Sequence, residues 1–170
     1  MALLPLHLVP DPVLRQIARP VDKITPSVLQ LLDDMLETMY AEEGIGLAAP
    51  QVGVTQRLIV MDVSPRDAEQ LTPYKMINPE IIASSEEMSS YEEGCLSIPQ
   101  MSGEVVRPAR VTVRYTDVNG LPQEVAASGI LATCIQHEID HLNGKLFIDH
   151  LSPLKRNMLM RRYNKRQHEA

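Results

Sequence analysis

The sequence predicts an α+β fold: antiparallel β-sheets packed around a buried helix that bears a metal-ligand motif, with a further helix at the C-terminus. Three observations carry this. Helical apolar spacing stands towards the two ends of the chain and strand-like runs stand between them, without regular strand–helix alternation. Asn119-Gly120 falls between two extended runs, the signal of an antiparallel hairpin. Ile130, Leu131, Ala132, Cys134, Ile135, Ile139 and Leu142 make one helix apolar nearly all round, although it also holds Gln136-His137-Glu138-Ile139-Asp140-His141.

In order, Asp11-Pro12 reads as an N-cap with proline at the first helical position, so a short helix over Val13 to Ala18 is expected. Thr25-Pro26 repeats the signal. From there Val28, Leu32, Met35, Leu36 and Met39 recur at helical spacing until Gly44, which predicts a long amphipathic helix with this stripe in the core. Gly44-Ile45-Gly46-Leu47-Ala48-Ala49-Pro50-Gln51-Val52-Gly53 has no period. It reads as a tight connector or as backbone that a ligand approaches closely, and it lacks the Lys-Ser/Thr of a phosphate loop.

Leu58 to Val63 is a strand by its β-branched residues, and a polar loop follows to Pro73. Met76 to Ala83 is a second strand, bent or at an edge because of Asn78-Pro79. Glu86 to Tyr91 is a third. Val111, Val113 and Tyr115 alternate with Thr112, Arg114 and Thr116, and Leu121 to Ala127 returns after the turn. Ser128 is the expected cap of the metal helix and Asn143-Gly144 its end. Ser152-Pro153 opens the last helix, in which Leu154, Met158, Leu159 and Arg162 form the face expected to dock on the body. Repeats and linkers are absent from the pattern, so residues 1–170 are expected to form one domain.

His137 and His141 lie one helical turn apart on one face, so both imidazoles can reach one ion. Glu138 can touch a water on that ion without ligating it, the arrangement of metal hydrolases. Buried histidines and carboxylates need partners, and a metal would satisfy His137, His141 and Glu138.

A catalytic site wants a third protein ligand and an open position. The pattern with a third histidine downstream fails, because Phe147 stands where that histidine would. Cys134 shares the helical face but lies seven residues, about 10 Å of helix axis, from His141. It is expected to pack beside the site. His7 and His168 lie near the termini and His150 at a turn, so surface roles are expected. Cys95, after Gly94, is favoured, the alternative being a buried core thiol. A thiolate with two imidazoles suits zinc, iron(II), cobalt or nickel.

Hydrophobic residues make up 44% and charged residues 22% of the 170, the balance of a globular protein and not of a disordered one. No apolar run is long enough to span a membrane, and the start lacks the basic leader of a signal peptide, so no membrane contact and a cytoplasmic location are expected. Two cysteines without an export signal argue for thiol or metal chemistry, not a disulfide. Of the net charge of -6, residues 151–170 contribute +5 and the first 150 residues -11. Such a basic tail on an acidic body fits a nucleic-acid or ribonucleoprotein partner, or else a solvated helix face.

Gly44-Ile45-Gly46-Leu47-Ala48-Ala49-Pro50-Gln51, Glu93-Gly94-Cys95-Leu96-Ser97 and Gln136-His137-Glu138-Ile139-Asp140-His141, in this order and at these separations, closely resemble the three signature motifs of bacterial peptide deformylases. The resemblance extends over nearly the whole chain. It implies removal of the formyl group from N-formylmethionyl nascent peptides. It implies Cys95, His137 and His141 as ligands of one divalent ion, iron(II), which zinc, nickel or cobalt can replace. Glu138 would move the proton, and Gln51 and the Leu96 N–H would meet the oxyanion. Backbone at Ile45, Gly46 and Gly94 would pair with the substrate as an added strand does. Ile45, Tyr91, Ile130 and Cys134 would wall the methionine pocket. The basic last helix would contact ribosomal RNA near the exit tunnel.

Overall fold

The computed structural model describes residues 2–169. Asp11 does cap a helix, accepting from the Val13 N–H at 3.0 Å, but only a 3-10 turn over Pro12–Arg15 follows. The expected helix to Ala18 does not form. The chain instead extends, so that Ala18 donates to the Leu142 carbonyl and Arg19 pairs with Gln56, tertiary bonds that replace helical ones. Thr25 caps α1 (Pro26–Ala41) by accepting from Val28 N–H. Of the expected stripe Val28, Leu32, Met35 and Met39 are buried and Leu36 is half-buried, with Thr38 buried beside them.

The unperiodic segment after α1 splits into β1 (Gly46–Ala48) and a 3-10 turn over Ala49–Val52. Next come β2 (Leu58–Met61) and β3 (Tyr74–Ser84). Asn78 has φ of +53° and interrupts the β3 register, while its side-chain amide pairs with both the N–H and carbonyl of Val21. Asn78-Pro79 therefore marks a bulge in an inner strand, not an edge. The hairpin of β4 (Met88–Cys95) and β5 (Ile98–Pro108) follows, then β6 (Arg110–Thr116), β7 (Pro122–Ser128), α2 (Gly129–Leu142), a 3-10 turn over Phe147–His150, and α3 (Pro153–Glu169).

Sheet order is β1-β2-β3-β6-β7, all antiparallel, with β4-β5 forming a separate two-stranded sheet. β2 is buried on both faces. Ile59 and Met61 join the apolar cluster under α2, and Leu58 and Val60 join the cluster under α1. The five-stranded sheet is thus held between these two helices. A third cluster joins the β4-β5 hairpin to Leu14, Phe147, Leu159 and Tyr163.

Two further expectations are corrected. Ser128 occupies the N-cap position of α2 but its side chain makes no capping bond. Of the expected α3 face Leu159 is buried, but Arg162 is exposed and Leu154 and Met158 are 71% and 55% exposed. The helix docks through Leu159 and Tyr163, whose phenol donates to the Val9 carbonyl at 2.8 Å. The body contact runs along the face of Leu159 and Tyr163, a rotation that spacing alone does not fix. No helix among the described residues is long and apolar enough to cross a membrane.

Candidate metal centre

The site forms where the tip of the β4-β5 hairpin meets α2. Gly94 faces Ser102 across the hairpin, but the next pair is Cys95 with Ile98. The slip bulges three residues out of β5, including Gln100 at φ of +67°, and closes a tight turn over Leu96 and Ser97. Cys95 is thereby held at the hairpin tip. Glu93, two residues back, shares its strand face.

Opposite, α2 presents two neighbouring faces. His137 and His141 point at Cys95: the two Nε2 atoms are 3.2 Å apart, and His141 Nε2 lies 3.5 Å from the Cys95 Sγ. All three donor atoms fall within 4.8 Å of one another, the one such group among the described residues. Cys134 and Glu138 turn instead towards β1. A Cβ on Gly46 would come within 2.4 Å of the Glu138 carboxylate and 2.8 Å of the Cys134 sulfur. A side chain at Gly46 would thus displace the Glu138 carboxylate and the Cys134 sulfur, so the close approach seen at this residue is that of protein side chains. Cys134 donates to the Ile45 carbonyl at 3.6 Å and takes no part in the three-atom group.

His137 Nδ1 meets Glu93 Oε1 at 2.9 Å, so Nδ1 carries the proton and Nε2 offers a lone pair to the centre. Glu93 is clamped by both arms of buried Arg107, at 2.7 and 2.9 Å, and Arg107 also donates to Asp140 at 2.8 Å. Asp140 Oδ2 is 2.8 Å from His150 Nε2, which carries the chain to the surface. Burial alone would raise the Glu93 pKa, but the bonds from His137 and Arg107 overcome it and hold the carboxyl at about 2. Burial above all pushes His141 well below the imidazole range. Burial above all, with Glu93 and Asp140 adding, raises Glu138 to about 7.

The donor set fits a divalent ion. Two imidazole nitrogens and a thiol converge on one point, and buried His141 Nδ1 and Glu138 Oε1 have no protein partner. With these three as ligands a coordination position would stay open, as catalytic sites require. Gln51, 1% exposed, accepts from Ala48 N–H through Oε1 and turns Nε2 towards Cys95 Sγ (3.5 Å) and Ser97 Oγ (3.1 Å).

These groups border a cavity of about 480 Å³ lined by Ile45, Gly46, Gln51, Tyr91, Gly94, Cys95, Leu96, Ile130, Cys134, His137 and Glu138, among others. Of the residues singled out in the sequence, only His141 lies behind this lining, and it joins the group through its Nε2. Glu93 and Arg107 received no role from the sequence. The i, i+2 relation of Glu93 to Cys95 was the available signal, whereas Arg107 lies in a strand that the pattern did not reveal.

A sequence model of the polypeptide deformylase family matches residues 3–157. The chain is 57% identical over 165 residues to the peptide deformylase of Rhizobium meliloti (strain 1021), an alignment spanning 97% of this chain and 94% of that one. It is 55% identical over 165 residues to that of Agrobacterium fabrum, with 97% and 96% covered. The crystal structure of a peptide deformylase from Legionella pneumophila superposes with a TM-score of 0.91 at 46% identity, covering 98% and 96% of the two chains. A peptide deformylase from Ehrlichia chaffeensis in complex with actinonin gives 0.91 at 44% identity, with 98% of each chain covered. The chain belongs to the peptide deformylase family, metal-dependent hydrolases that remove the N-formyl group from nascent polypeptides.

Proposed function

We propose that Cys95, His137 and His141 hold one iron(II) ion and that Glu138, Gln51 and the Leu96 N–H carry out deformylation around it. The observation that carries this reading is the convergence of the three donor atoms beside a buried, partnerless carboxylate oxygen of Glu138. When bound, a divalent ion supplies Lewis acidity that brings the pKa of water near neutrality. Glu138 accepts the proton of the attacking water and delivers it to the leaving amine as the formyl carbon–nitrogen bond breaks, giving formate and a free N-terminus. The Gln51 amide and the Leu96 N–H donate to the oxygen that gains charge. Glu93 and Arg107 keep the His137 tautomer that presents Nε2.

Ile45, Tyr91, Ile130 and Cys134 wall the methionine pocket in this reading, and the backbone at Ile45, Gly46 and Gly94 pairs with the peptide downstream. The thiolate with two imidazoles makes an electron-rich site that accepts iron(II), with zinc, nickel or cobalt as substitutes. The exposed cations of α3 contact ribosomal RNA where nascent chains emerge, which places the enzyme in the cytoplasm. Metal analysis after anaerobic purification, paired with hydrolysis of formyl-Met-Ala and acetyl-Met-Ala, tests the reading. It expects stoichiometric iron(II), formate from the first peptide and no cleavage of the second. Stoichiometric zinc in an active anaerobic preparation would refute the choice of iron.

A further inference from the structure

The polar loop after β2 contributes nothing to the cavity lining, yet one of its side chains holds the backbone that does. Arg66 donates through Nη2 to the carbonyls of Gly44 at 3.0 Å and Asp62 at 2.8 Å, and through Nη1 to that of Ser64 at 2.9 Å. Its guanidinium carbon lies over the Tyr40 ring, 4.9 Å from the centroid, a cation–π contact. The Tyr40 hydroxyl donates to the fully buried carboxylate of Asp62, and the Asp62 N–H donates to the Ile45 carbonyl at 2.9 Å. The carbonyls of Gly44 and Ile45 are thus both tied down from the side of this loop.

These two residues lead into β1, an edge strand of the five-stranded sheet. Gly46 pairs with Met61, so Ile45 stands opposite Asp62. In an antiparallel ladder the residue after one bonded to its partner turns its own N–H and carbonyl the other way. Gly46 therefore presents its polar groups away from β2, on the free edge beside the cavity that it lines. Apart from these bonds, the Gly44 N–H donates to the Met39 carbonyl at 2.9 Å and the Cys134 thiol to the Ile45 carbonyl at 3.6 Å. Glu43 turns at φ of +59° and Ile45 is 42% exposed.

We propose that Arg66 is a positioning residue for substrate: it fixes the β1 edge on which the peptide backbone downstream of formylmethionine pairs. The inference rests on the strand-pairing reading given under the proposed function. Arg66→Met keeps an unbranched side chain and removes every donor together with the charge over Tyr40. Arg66→Lys keeps the charge but replaces the planar fork by a point donor that cannot span three carbonyls.

Steady-state kinetics on formyl-Met-Ala-Ser and on formylmethioninamide, which lacks the downstream backbone, separate the possibilities, with metal content and Tm recorded alongside. The expected result for Arg66→Met is a KM for the tripeptide raised about tenfold with kcat within about twofold, the signature of lost binding. The KM for the amide should stay at its wild-type value, and Arg66→Lys should fall between on the tripeptide. Equal KM changes for both substrates, or a fall in kcat alone, would overturn the proposal and leave Arg66 a purely structural role. Should Arg66→Met fail to fold, the same comparison on Arg66→Lys decides. A wild-type enzyme with equal KM for the two substrates would refute edge pairing itself, and the proposal with it.

Discussion

α2 and α3 are helices of similar length that use their surfaces in opposite ways. Ten of the 14 residues of α2 are buried, among them both histidines and Glu138. Only Leu159 and Tyr163 are buried among the 17 residues of α3. In α2 the charge beside the histidines is buried and must be paired by protein. Arg107, Glu93 and Asp140 do this with bonds of 2.7 to 2.9 Å. In α3, Lys155, Arg161, Arg162 and Lys165 are exposed, and only Arg166 among the last-turn cations reaches a neighbour, Gln100. One helix holds chemistry in fixed positions, and the other keeps its charge available. Substitutions in or around α2 should therefore act on metal and turnover, and substitutions on α3 should act on a partner.

The largest effect is expected at Cys95. Cys95→Ser should release the metal and lower turnover beyond the roughly 100-fold that outer partners of a metal ligand command. In cobalt-substituted protein it should abolish the sulfur-to-metal charge-transfer band, whereas Cys134→Ser should keep it. The reverse pattern in the absorption spectrum would mean that the wrong thiol has been assigned.

Gln51→Ala should come next. An oxyanion donor removed from a buried site lowers kcat by about 100- to 1,000-fold, with kcat/KM falling in parallel. A change confined to KM would make Gln51 a binding group only.

The smallest effect on catalysis is expected from α3, and Tyr163 dictates the design of that test. Truncation from residue 161 onwards would remove a buried anchor along with the charges. Arg161→Glu combined with Lys165→Glu leaves the anchor in place, and surface changes of this kind alter stability by only about 0.5 kcal/mol. Ribosome binding should weaken, and its log–log salt dependence should lose about one unit of slope per phosphate contact removed. Hydrolysis of formyl-Met-Ala should be little changed. Unaltered ribosome affinity at low salt would reduce these cations to a solvated helix face.

The same contrast explains what the sequence disclosed. The convergence of His137 and His141 is legible because it is local: an i, i+4 histidine pair states its geometry in the chain itself. The Met and Leu stripe of α1 and the Asn119-Gly120 hairpin were legible for the same reason. β5 was not. Its burial alternates poorly, Pro99, Gly103 and Pro108 interrupt its pattern, and its pairing with β4 slips at the Cys95 bulge. With β5 went Arg107 and the clamp on Glu93, which exist only once the hairpin has folded against α2. The facing of α3 is only partly legible: Leu159 is buried as its spacing predicts, whereas Tyr163, not Leu154 or Met158, completes the contact because its phenol reaches the Val9 carbonyl.

The central claim is that Glu138 moves the proton while Cys95, His137 and His141 hold the ion. Glu138→Gln preserves size and hydrogen bonding and removes only the basic carboxylate. Metal content and formate release from formyl-Met-Ala, measured on the same anaerobic preparation, test the claim directly. The expected result is a full complement of metal with turnover lowered by at least the roughly 100-fold typical of general acid–base catalysis. Full metal with near-normal formate release would remove Glu138 from the mechanism, and loss of the metal would make it part of the ligand set.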